Sequence, residues 1–345
     1  MRIRGLGRLR QVARRLSHRL APGGLILLYH RVAEVETDPW SLCVTPHHFL
    51  EHLEVLRKHA HPVRLQQMTQ ALQDGERPHR QVVVTFDDGY ADNLHNAKPL
   101  LERYDIPATV FVTSGSIEQE REFWWDELDR LLLQPGTLPE VLCLSVNGNT
   151  YQWNLGEAAH YSEEKYQRHR CWSALREDNP TSRHSLYREL YQLLHPLLID
   201  ERRYVLDQLL GWASAESVSR PTHRSLTLAE VSVLGQGGLI EVGAHTVTHP
   251  FLSTLPAASQ LEEIQRSKAC LEEIMGHPVS SFAYPHGNYT AETTTLVQEA
   301  GFTCACSTAA DIVWQSTDCF QLPRVVVEDW DGSEFARRLE EWFHG

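Results

Sequence analysis

The chain has 345 residues, of which 42% are hydrophobic and 22% charged, which is typical of a globular protein with one large domain or two ordinary ones. No apolar run approaches the roughly 20 residues that a helix needs to cross a bilayer. The net charge is −13, and beyond the first 20 residues the chain carries 25 basic against 45 acidic side chains. Proteins bind nucleic-acid backbones through surfaces dense in lysine and arginine. Because most of this chain is acidic, we expect no nucleic-acid partner.

The chain begins with a basic segment, residues 1–22. Its first 20 residues contain seven arginines and no acidic residue, with apolar residues at helical spacing and without the apolar core of a secretion signal. This pattern is typical of an amphipathic helix on an anionic membrane surface. A frayed tail, or a helix docked on the acidic body, fits the same pattern. The seven cysteines include no Cys-x-x-Cys pair, which favours a reducing compartment. We expect a cytoplasmic protein with peripheral contact at the inner membrane face.

Short β-rich apolar runs recur along the chain and are mostly separated by helical patterns. The runs are residues 25–29, 82–86, 108–113, 239–243, 280–284, 303–306 and 325–327, and the helical patterns include 46–58, 94–104, 258–275 and 291–300. Strand and helix alternation predicts a parallel sheet with crossover helices. Seven runs favour a barrel over an open sheet, and the active face of such a barrel lies at the carboxyl ends of its strands.

Residues 115–223 interrupt this alternation and predict a mostly helical insertion between the third and fourth strands. An amphipathic segment begins at Phe123, and residues 182–198 and 201–212 have helical patterns. One hairpin is predicted over residues 142–153, with its turn at Asn147-Gly148-Asn149. The insertion serves either as a lid or wall beside a substrate, or as a structural buttress.

Two adjacent carboxylates, Asp87 and Asp88, follow the buried run 82–86. Burying two like charges at the end of a buried strand costs free energy unless a cation or a proton neutralises one of them. Further along the chain, His245 and His249 form a His-x-x-x-His pair that can reach one metal ion. One aspartate and two histidines leave an open coordination position for water, and the second aspartate is free to take a proton from it. The residues therefore indicate metal-assisted hydrolysis.

With these motifs in view, the chain resembles the polysaccharide deacetylases, the NodB-homology or carbohydrate esterase 4 family. The resemblance rests on Thr-Phe-Asp-Asp-Gly at residues 85–89, on the His-x-x-x-His pair at 245–249, and on Phe-Ala-Tyr-Pro-His-Gly at 282–287. It covers residues from about 25 to 115 and from about 225 to 330, which assigns 23–114 and 224–345 to a deacetylase barrel. The resemblance implies an α/β fold, a distorted (β/α)7 barrel, that removes acetyl groups from N-acetylated sugars.

The resemblance also implies roles for individual residues. Asp88, His245 and His249 would bind a divalent metal, with Zn²⁺ as the first expectation and Co²⁺ or Ni²⁺ as alternatives. Asp87 would be the general base, and Tyr284 would stabilise the tetrahedral oxyanion through its backbone amide.

The general acid departs from the common family pattern. The family often places a histidine near the chain end, whereas this chain reads Leu-Pro-Arg-Val at 322–325. His30, at the end of the first strand, is a substitute that could protonate the leaving amine if its pKa is near neutral. A structural histidine that caps the strand is the alternative.

Four further residues are candidates for the substrate pocket: Arg324, Pro285, His286 and Trp125. Arg324 could instead form a salt bridge with Asp87, and Trp125 could be a core residue rather than a platform for a sugar ring. The sequence thus predicts a metal-dependent N-deacetylase of a polysaccharide, an oligosaccharide or a lipid-linked glycan. A deacylase of a small amide or nucleotide sugar, and a glycan-binding barrel without turnover, are the alternatives.

Overall fold

A computed structural model describes residues 23–344, and in it all seven runs form strands of one parallel sheet. The basic segment 1–22 lies outside the described residues, so its membrane contact stays a prediction. The strands are β1 (Leu25–Tyr29), β2 (Gln81–Phe86), β3 (Ala108–Val112), β4 (Ile240–Ala244), β5 (Ser281–Ala283), β6 (Cys304–Cys306) and β7 (Val325–Val326). Neighbours in the chain are neighbours in the sheet, and β7 returns to pair with β1.

The sheet closes between β6 and β7 through the segment that precedes β7. Leu322 donates its N–H to the carbonyl of Ala305 at 3.0 Å, and its own carbonyl accepts from the Ser307 N–H at 2.8 Å. A short strand, His61–Pro62, pairs with the start of β2 outside this ring. The predicted distorted (β/α)7 barrel is therefore confirmed, because seven parallel strands are joined edge to edge around a closed path.

Helices surround the barrel and fill its outer layer. Those outside the insertion are α1 (Pro46–His59), α2 (Leu65–Gln73), α3 (Lys98–Tyr104, after a π-helical turn Asn93–Ala97), α8 (Leu228–Gly235), α9 (Ala257–Met275), α10 (Ala291–Glu299) and α11 (Gly332–His344). Phe49, Leu101 and Ile264 from three of these helices join the buried strand residues in the main core. Within residues 23–344 no helix combines the length and the apolar character needed to cross a bilayer.

Between β3 and β4 the chain forms four helices and a β-hairpin that lie within residues 115–223. The helices are α4 (Trp124–Leu132), α5 (Glu163–His169), α6 (Ser182–Leu194) and α7 (Ile199–Ala213), and the hairpin strands are Val141–Val146 and Asn149–Asn154. Asn147 and Gly148 have φ of 51° and 76°, the left-handed values that a two-residue hairpin turn requires. Short strands at Gly136–Thr137 and His160–Tyr161 pair beside it, and Arg31–Val32 pairs with Cys43–Val44 near the end of β1.

The insertion buries an apolar core of its own. Leu128, Leu144, Leu190 and Leu206 belong to this second cluster, which is distinct from the core of the barrel. Tyr90, two residues after Asp88, is also part of the second cluster. The insertion is thus anchored on the barrel beside the two adjacent aspartates.

Candidate active site

The two adjacent aspartates lie at the carboxyl end of β2, where the backbone turns sharply. The Asp87 N–H donates to the Tyr29 carbonyl at 3.0 Å and so extends the pairing of β1 with β2 by one residue. Asp88 and Gly89 then adopt φ of 72° and 83°. A Cβ at position 89 would lie 3.0 Å from Val112 on β3, so glycine permits the close approach. Both carboxylates line the same cavity as a result.

The two predicted histidine ligands follow β4 and meet in front of Asp88. The His245 Nδ1 lies 2.8 Å from the Ala283 carbonyl, which can only accept, so Nδ1 carries the proton and Nε2 presents a lone pair. The Nε2 atoms of His245 and His249 are 3.2 Å apart. Asp88 Oδ1 lies 3.4 Å from His249 Nε2 and 3.7 Å from His245 Nε2.

This group has the donor chemistry of a divalent cation site. One ligand atom from each of Asp88, His245 and His249 lies within 4.8 Å of the others, and all three residues are buried. Burial, reinforced by Asp87, raises the pKa of Asp88, while burial lowers the pKa of both histidines. A buried carboxylate facing two neutral imidazole lone pairs is costly unless a cation or proton lies between them. One carboxylate and two histidines also match the ligand set of catalytic zinc sites.

Asp87 is held outside this group by Arg324. The guanidinium donates from Nη1 to Oδ1 and from Nη2 to Oδ2, both at 2.7 Å. Burial raises the pKa of Asp87, but Arg324 and His245 together lower it by more, so that the carboxyl pKa falls below its usual value. Asp87 is therefore an ionised carboxylate at neutral pH, and its Oδ2 lies 3.9 Å from His245 Nε2.

The structure corrects the predicted substrate contact of Arg324. Its side chain is fully buried, and its Nε also donates to the Ser307 carbonyl at 2.8 Å, while Nη1 donates to the Thr85 hydroxyl at 3.2 Å. Four of the five guanidinium N–H groups thus donate to the protein, and Arg324 does not line the cavity that contains the two aspartates. The predicted alternative, a salt bridge with Asp87, is what the structure contains.

His30 lies in the cavity wall at the end of β1, but its titration differs from expectation. Burial lowers the pKa of His30 to about 4, although the nearby Asp87 opposes this shift. The expected near-neutral pKa is therefore not met, although the ring lines the cavity and is itself only half-buried. His30 is therefore neutral at pH 7.

The predicted oxyanion role of Tyr284 is also wrong. Its N–H donates to the Cys306 carbonyl at 3.0 Å, which extends the pairing of β5 with β6. Its hydroxyl donates to the Phe320 carbonyl at 2.9 Å. The backbone amide is thus used in the sheet and cannot also face a substrate oxygen. Pro285 is buried next to it and does not line the cavity, so the structure does not support its predicted substrate contact either.

The cavity in front of the aspartates has a volume of about 210 Å³ and two chemically different walls. The polar wall consists of His30, Asp87, Asp88, His245, His249, His286 and Thr308, and the apolar wall of Leu28, Trp40, Leu42, Trp125, Tyr191 and Val326. Trp125 and His286, two of the four predicted pocket residues, line this cavity, and their contact with a substrate stays a prediction. A larger groove of about 730 Å³ lies between α7 and α9, but neither Asp87 nor Asp88 lines it. The chemistry therefore belongs to the smaller cavity.

Sequence reasoning missed two aromatic residues of the apolar wall, Trp40 and Tyr191. Trp40 lies in the segment after β1, where barrel enzymes place functional side chains, and this position was a usable signal. Tyr191 lies on α6 of the insertion, and its ring centroid is 4.0 Å from that of Trp40. No local pattern marks it, because only the docking of the insertion brings it to the cavity.

Two contacts attach the insertion to the polar wall. The Trp125 ring lies 5.3 Å from the His249 ring, and its indole N–H donates to the Tyr90 hydroxyl at 2.8 Å. That hydroxyl in turn donates to Asp126 at 2.6 Å. At the end of α6, His195 Nε2 lies 3.3 Å from His286 Nδ1. The insertion therefore contributes Trp125 and Tyr191 to the cavity lining, and it contacts His249 and His286 on the polar wall.

Comparisons with known proteins agree with this geometry. A family model described as polysaccharide deacetylase matches residues 74–137 and 182–305, more than half of the chain. A curated relative, the putative polysaccharide deacetylase YxkH of Bacillus subtilis (strain 168), is 29% identical over 139 residues, which are 39% of this chain. The chain matches about half of the length of that relative, 48%.

Solved structures of deacetylases share the fold at low sequence identity. The Streptococcus pyogenes deacetylase PplD, solved with acetate, has a TM-score of 0.57 at 17% identity, over 92% of this chain and 99% of that one. IcaB from Ammonifex degensii has a TM-score of 0.56 at 18% identity, over 94% and 98%. Residues 85–89, 245–249 and 282–287 fall within the ranges that the family model matches, and they lie at the ends of β2, β4 and β5. The chain belongs to the polysaccharide deacetylase family.

Proposed function

We propose that this protein is a metal-dependent hydrolase that removes N-acetyl groups from an N-acetylated saccharide. The observation that carries the proposal is the placement of Asp88, His245 and His249 in one cavity with Asp87, a carboxylate held ionised by Arg324. Amide hydrolysis requires these two elements: a site for a metal ion that polarises the carbonyl group, and a base beside it that takes a proton from water. Membership of the polysaccharide deacetylase family supports the reaction and the saccharide substrate.

We propose Asp88, His245 and His249 as the metal ligands, with Zn²⁺ as the cation and Co²⁺ or Ni²⁺ as alternatives. Bound there, a divalent cation would polarise the acetyl carbonyl and lower the pKa of a bound water molecule towards about 7. The Ala283 carbonyl fixes the tautomer of His245 and so keeps Nε2 available as a ligand.

Asp87 is the proposed general base. Its paired oxygens accept from Arg324, which fixes the carboxylate plane and keeps it ionised at neutral pH. A positioned base of this kind contributes about 10²- to 10⁴-fold to a proton transfer. Oxygen from water forms the new bond to the acetyl carbon, and Asp87 takes the proton that this water releases.

His30 is the proposed donor to the leaving nitrogen. Because burial lowers the pKa of His30 to about 4, the neutral ring must first receive the proton that Asp87 has taken. A protonated imidazole with so low a pKa is a strong acid, so it readily passes this proton to the amine as the C–N bond breaks. The products are acetate and an amino sugar. One proton of the water moves to the nitrogen through Asp87 and His30, and the second is released as acetic acid ionises and is taken up by the amine or by solvent.

The apolar wall is the proposed contact for the acetyl methyl group and for a sugar face. Trp40, Trp125 and Tyr191 supply aromatic surface in the same cavity as the polar wall, and sugars pack on such surfaces through their C–H faces. A glycan attached to a lipid would bring its sugar to the membrane surface that the basic segment 1–22 is proposed to contact. We therefore propose a cytoplasmic role in exopolysaccharide biosynthesis, on a lipid-linked or polymeric glycan.

Acetate release is the test. Purified full-length protein is freed of metal with a chelator, reloaded with Zn²⁺ or Co²⁺, and assayed on N-acetylated oligosaccharides, lipid-linked glycans, nucleotide sugars and small acetamides. We expect the metal-loaded protein to release acetate from glycans and the metal-free protein to release none. Asp87→Asn protein should release none in either state. Release from the small amides or nucleotide sugars alone would assign the deacylase alternative. Stoichiometric metal without release from any substrate, together with glycan binding, would overturn the proposed reaction.

A further inference from the structure

Glu263, which lies outside the cavity on helix α9, holds the loop that joins the two histidines. Its Oε2 accepts hydrogen bonds from the backbone N–H groups of Val247 and Thr248, at 2.8 and 2.9 Å. Its Oε1 accepts from the Thr248 hydroxyl at 2.7 Å. One carboxylate thus receives three hydrogen bonds from the residues between His245 and His249.

The backbone of this loop needs outside support. Thr246 has φ of 64° and His249 has φ of 55°, both in the left-handed region. This region is uncommon for residues other than glycine, and for a β-branched residue such as Thr246 it is an outlier. Inside the loop, the Thr246 hydroxyl oxygen accepts from the His249 N–H at 3.1 Å. The conformation that aims His249 at Asp88 is therefore strained, and the surrounding contacts must hold it.

Glu263 is suited to this task by charge and by placement. Successive backbone N–H groups that point at one oxygen form an anion-binding nest, and hydrogen bonds to an ionised acceptor are stronger than neutral ones. The position of Glu263 is fixed because its neighbour Ile264 is fully buried in the main core. The anion is thus tied to the barrel and not to the loop that it holds.

We propose that Glu263 is a positioning residue that preforms the metal loop, so that His249 is in place before the cation binds. The inference rests on the proposed function in taking His245 and His249 as ligands. It assigns Glu263 no contact with the substrate or the cation. Without this carboxylate the left-handed residues can relax, and the cation must then order the loop itself.

The test is the Zn²⁺ affinity of the full-length protein, measured by competition with a chromophoric chelator. We expect Glu263→Ala to raise the Kd by at least about 10-fold, in the range typical for the loss of groups that orient metal ligands. Glu263→Gln should raise it less, since a neutral amide oxygen still accepts from the two N–H groups. Glu262→Ala is the matched control, because that exposed neighbour pairs with Arg266 on the helix surface, and its Kd should stay within two-fold.

A second readout follows the geometry of the loop. The visible absorption of Co²⁺-loaded protein should change for Glu263→Ala and remain as in the unchanged protein for Glu262→Ala. If Glu263→Ala fails to fold by circular dichroism, Glu263→Gln carries the same test. Unchanged Kd and unchanged Co²⁺ spectra in the folded Glu263 variants would overturn the inference.

The outcome is separable from that of the proposed function. If the protein binds Zn²⁺ but releases no acetate, the proposed reaction fails, while the Kd comparison still decides the role of Glu263. If the unchanged protein binds no Zn²⁺, the ligand set and the role of Glu263 are overturned together.

Discussion

Arg324 and Asp87 form a buried bidentate pair, with two parallel hydrogen bonds of 2.7 Å between guanidinium and carboxylate. The pair joins the end of β2 to the residue that precedes β7, two strands that flank β1 in the barrel. Such fork-to-fork contacts fix the orientation of the carboxylate as well as its charge. The carboxylate proposed as the base is therefore oriented by a buried residue that does not line the cavity.

Replacing Arg324 by methionine should move the acidic limb of the pH profile upward. With Arg324 in place, the pKa of Asp87 is below its usual value, and without it burial remains and raises that pKa. A base works only when it is ionised, so activity should fall most at low pH and recover as the pH rises. We expect a shift of about one unit or more in kcat/KM against pH.

Metal content is the control for this experiment. Arg324 makes no hydrogen bond with Asp88, His245 or His249, so Zn²⁺ binding should persist in Arg324→Met protein. An acidic limb that stays in place, in a variant that folds and binds Zn²⁺, would contradict the role of the pair.

Adjacent aspartates should give opposite results when each is replaced by asparagine. Asp87→Asn should lower kcat by about 10²- to 10⁴-fold and leave Zn²⁺ affinity nearly unchanged, since the base is removed and the ligands remain. Asp88→Asn should weaken Zn²⁺ binding itself, because it removes the only carboxylate of the proposed ligand set. Measuring kcat and Zn²⁺ Kd for both variants checks the assignment, and reversed results would exchange the two roles.

The role of His30 can be isolated with a substrate that needs no acid. An amine leaves only if it is protonated, whereas a nitrophenolate leaves as an anion. We expect His30→Ala to lower amide hydrolysis by about 10²-fold or more and to leave hydrolysis of an acetyl nitrophenyl ester within a few-fold. Asp87→Asn, by comparison, should lower the hydrolysis of both substrates. Equal losses on amide and ester in His30→Ala would refute a proton-donor role.

The Tyr90 hydroxyl should stabilise the apolar wall through its two hydrogen bonds, one from the Trp125 indole and one to Asp126. In Tyr90→Phe both partners remain buried and lose this contact, so the free energy of unfolding should fall by about 1–3 kcal/mol. KM should also rise, because Trp125 is no longer fixed against the cavity. Urea denaturation and steady-state kinetics measure the two effects.

Tyr204→Phe is the matched control for this change. Tyr204 is 64% exposed on α7, so the same loss of a hydroxyl there should leave stability and KM unchanged. Equal stability of the two variants would show that the buried hydrogen bonds contribute nothing measurable.

Local patterns predicted much of the fold. All seven strands were predicted from short β-rich runs between helical patterns, since a buried parallel strand is recognisable from its own residues. The hairpin was likewise predicted from Asn147 and Gly148, because its turn requires two left-handed residues in succession. Two helices of the insertion were predicted as well, but not how the insertion docks on the barrel, so its cavity residue Tyr191 could not be predicted.

By itself, the sequence determined the barrel strands, the order of the motifs, and the residues that can bind a metal, because each depends on neighbouring residues or on residue type. Tertiary structure decided what those residues are free to do. The register of β5 against β6 commits the Tyr284 amide to Cys306, and Arg324 is committed to Asp87 across β1. Burial of a strand end sets the pKa of His30. Hydrogen-bond partners and solvent access depend on the packing of distant segments, and no local pattern encodes that packing.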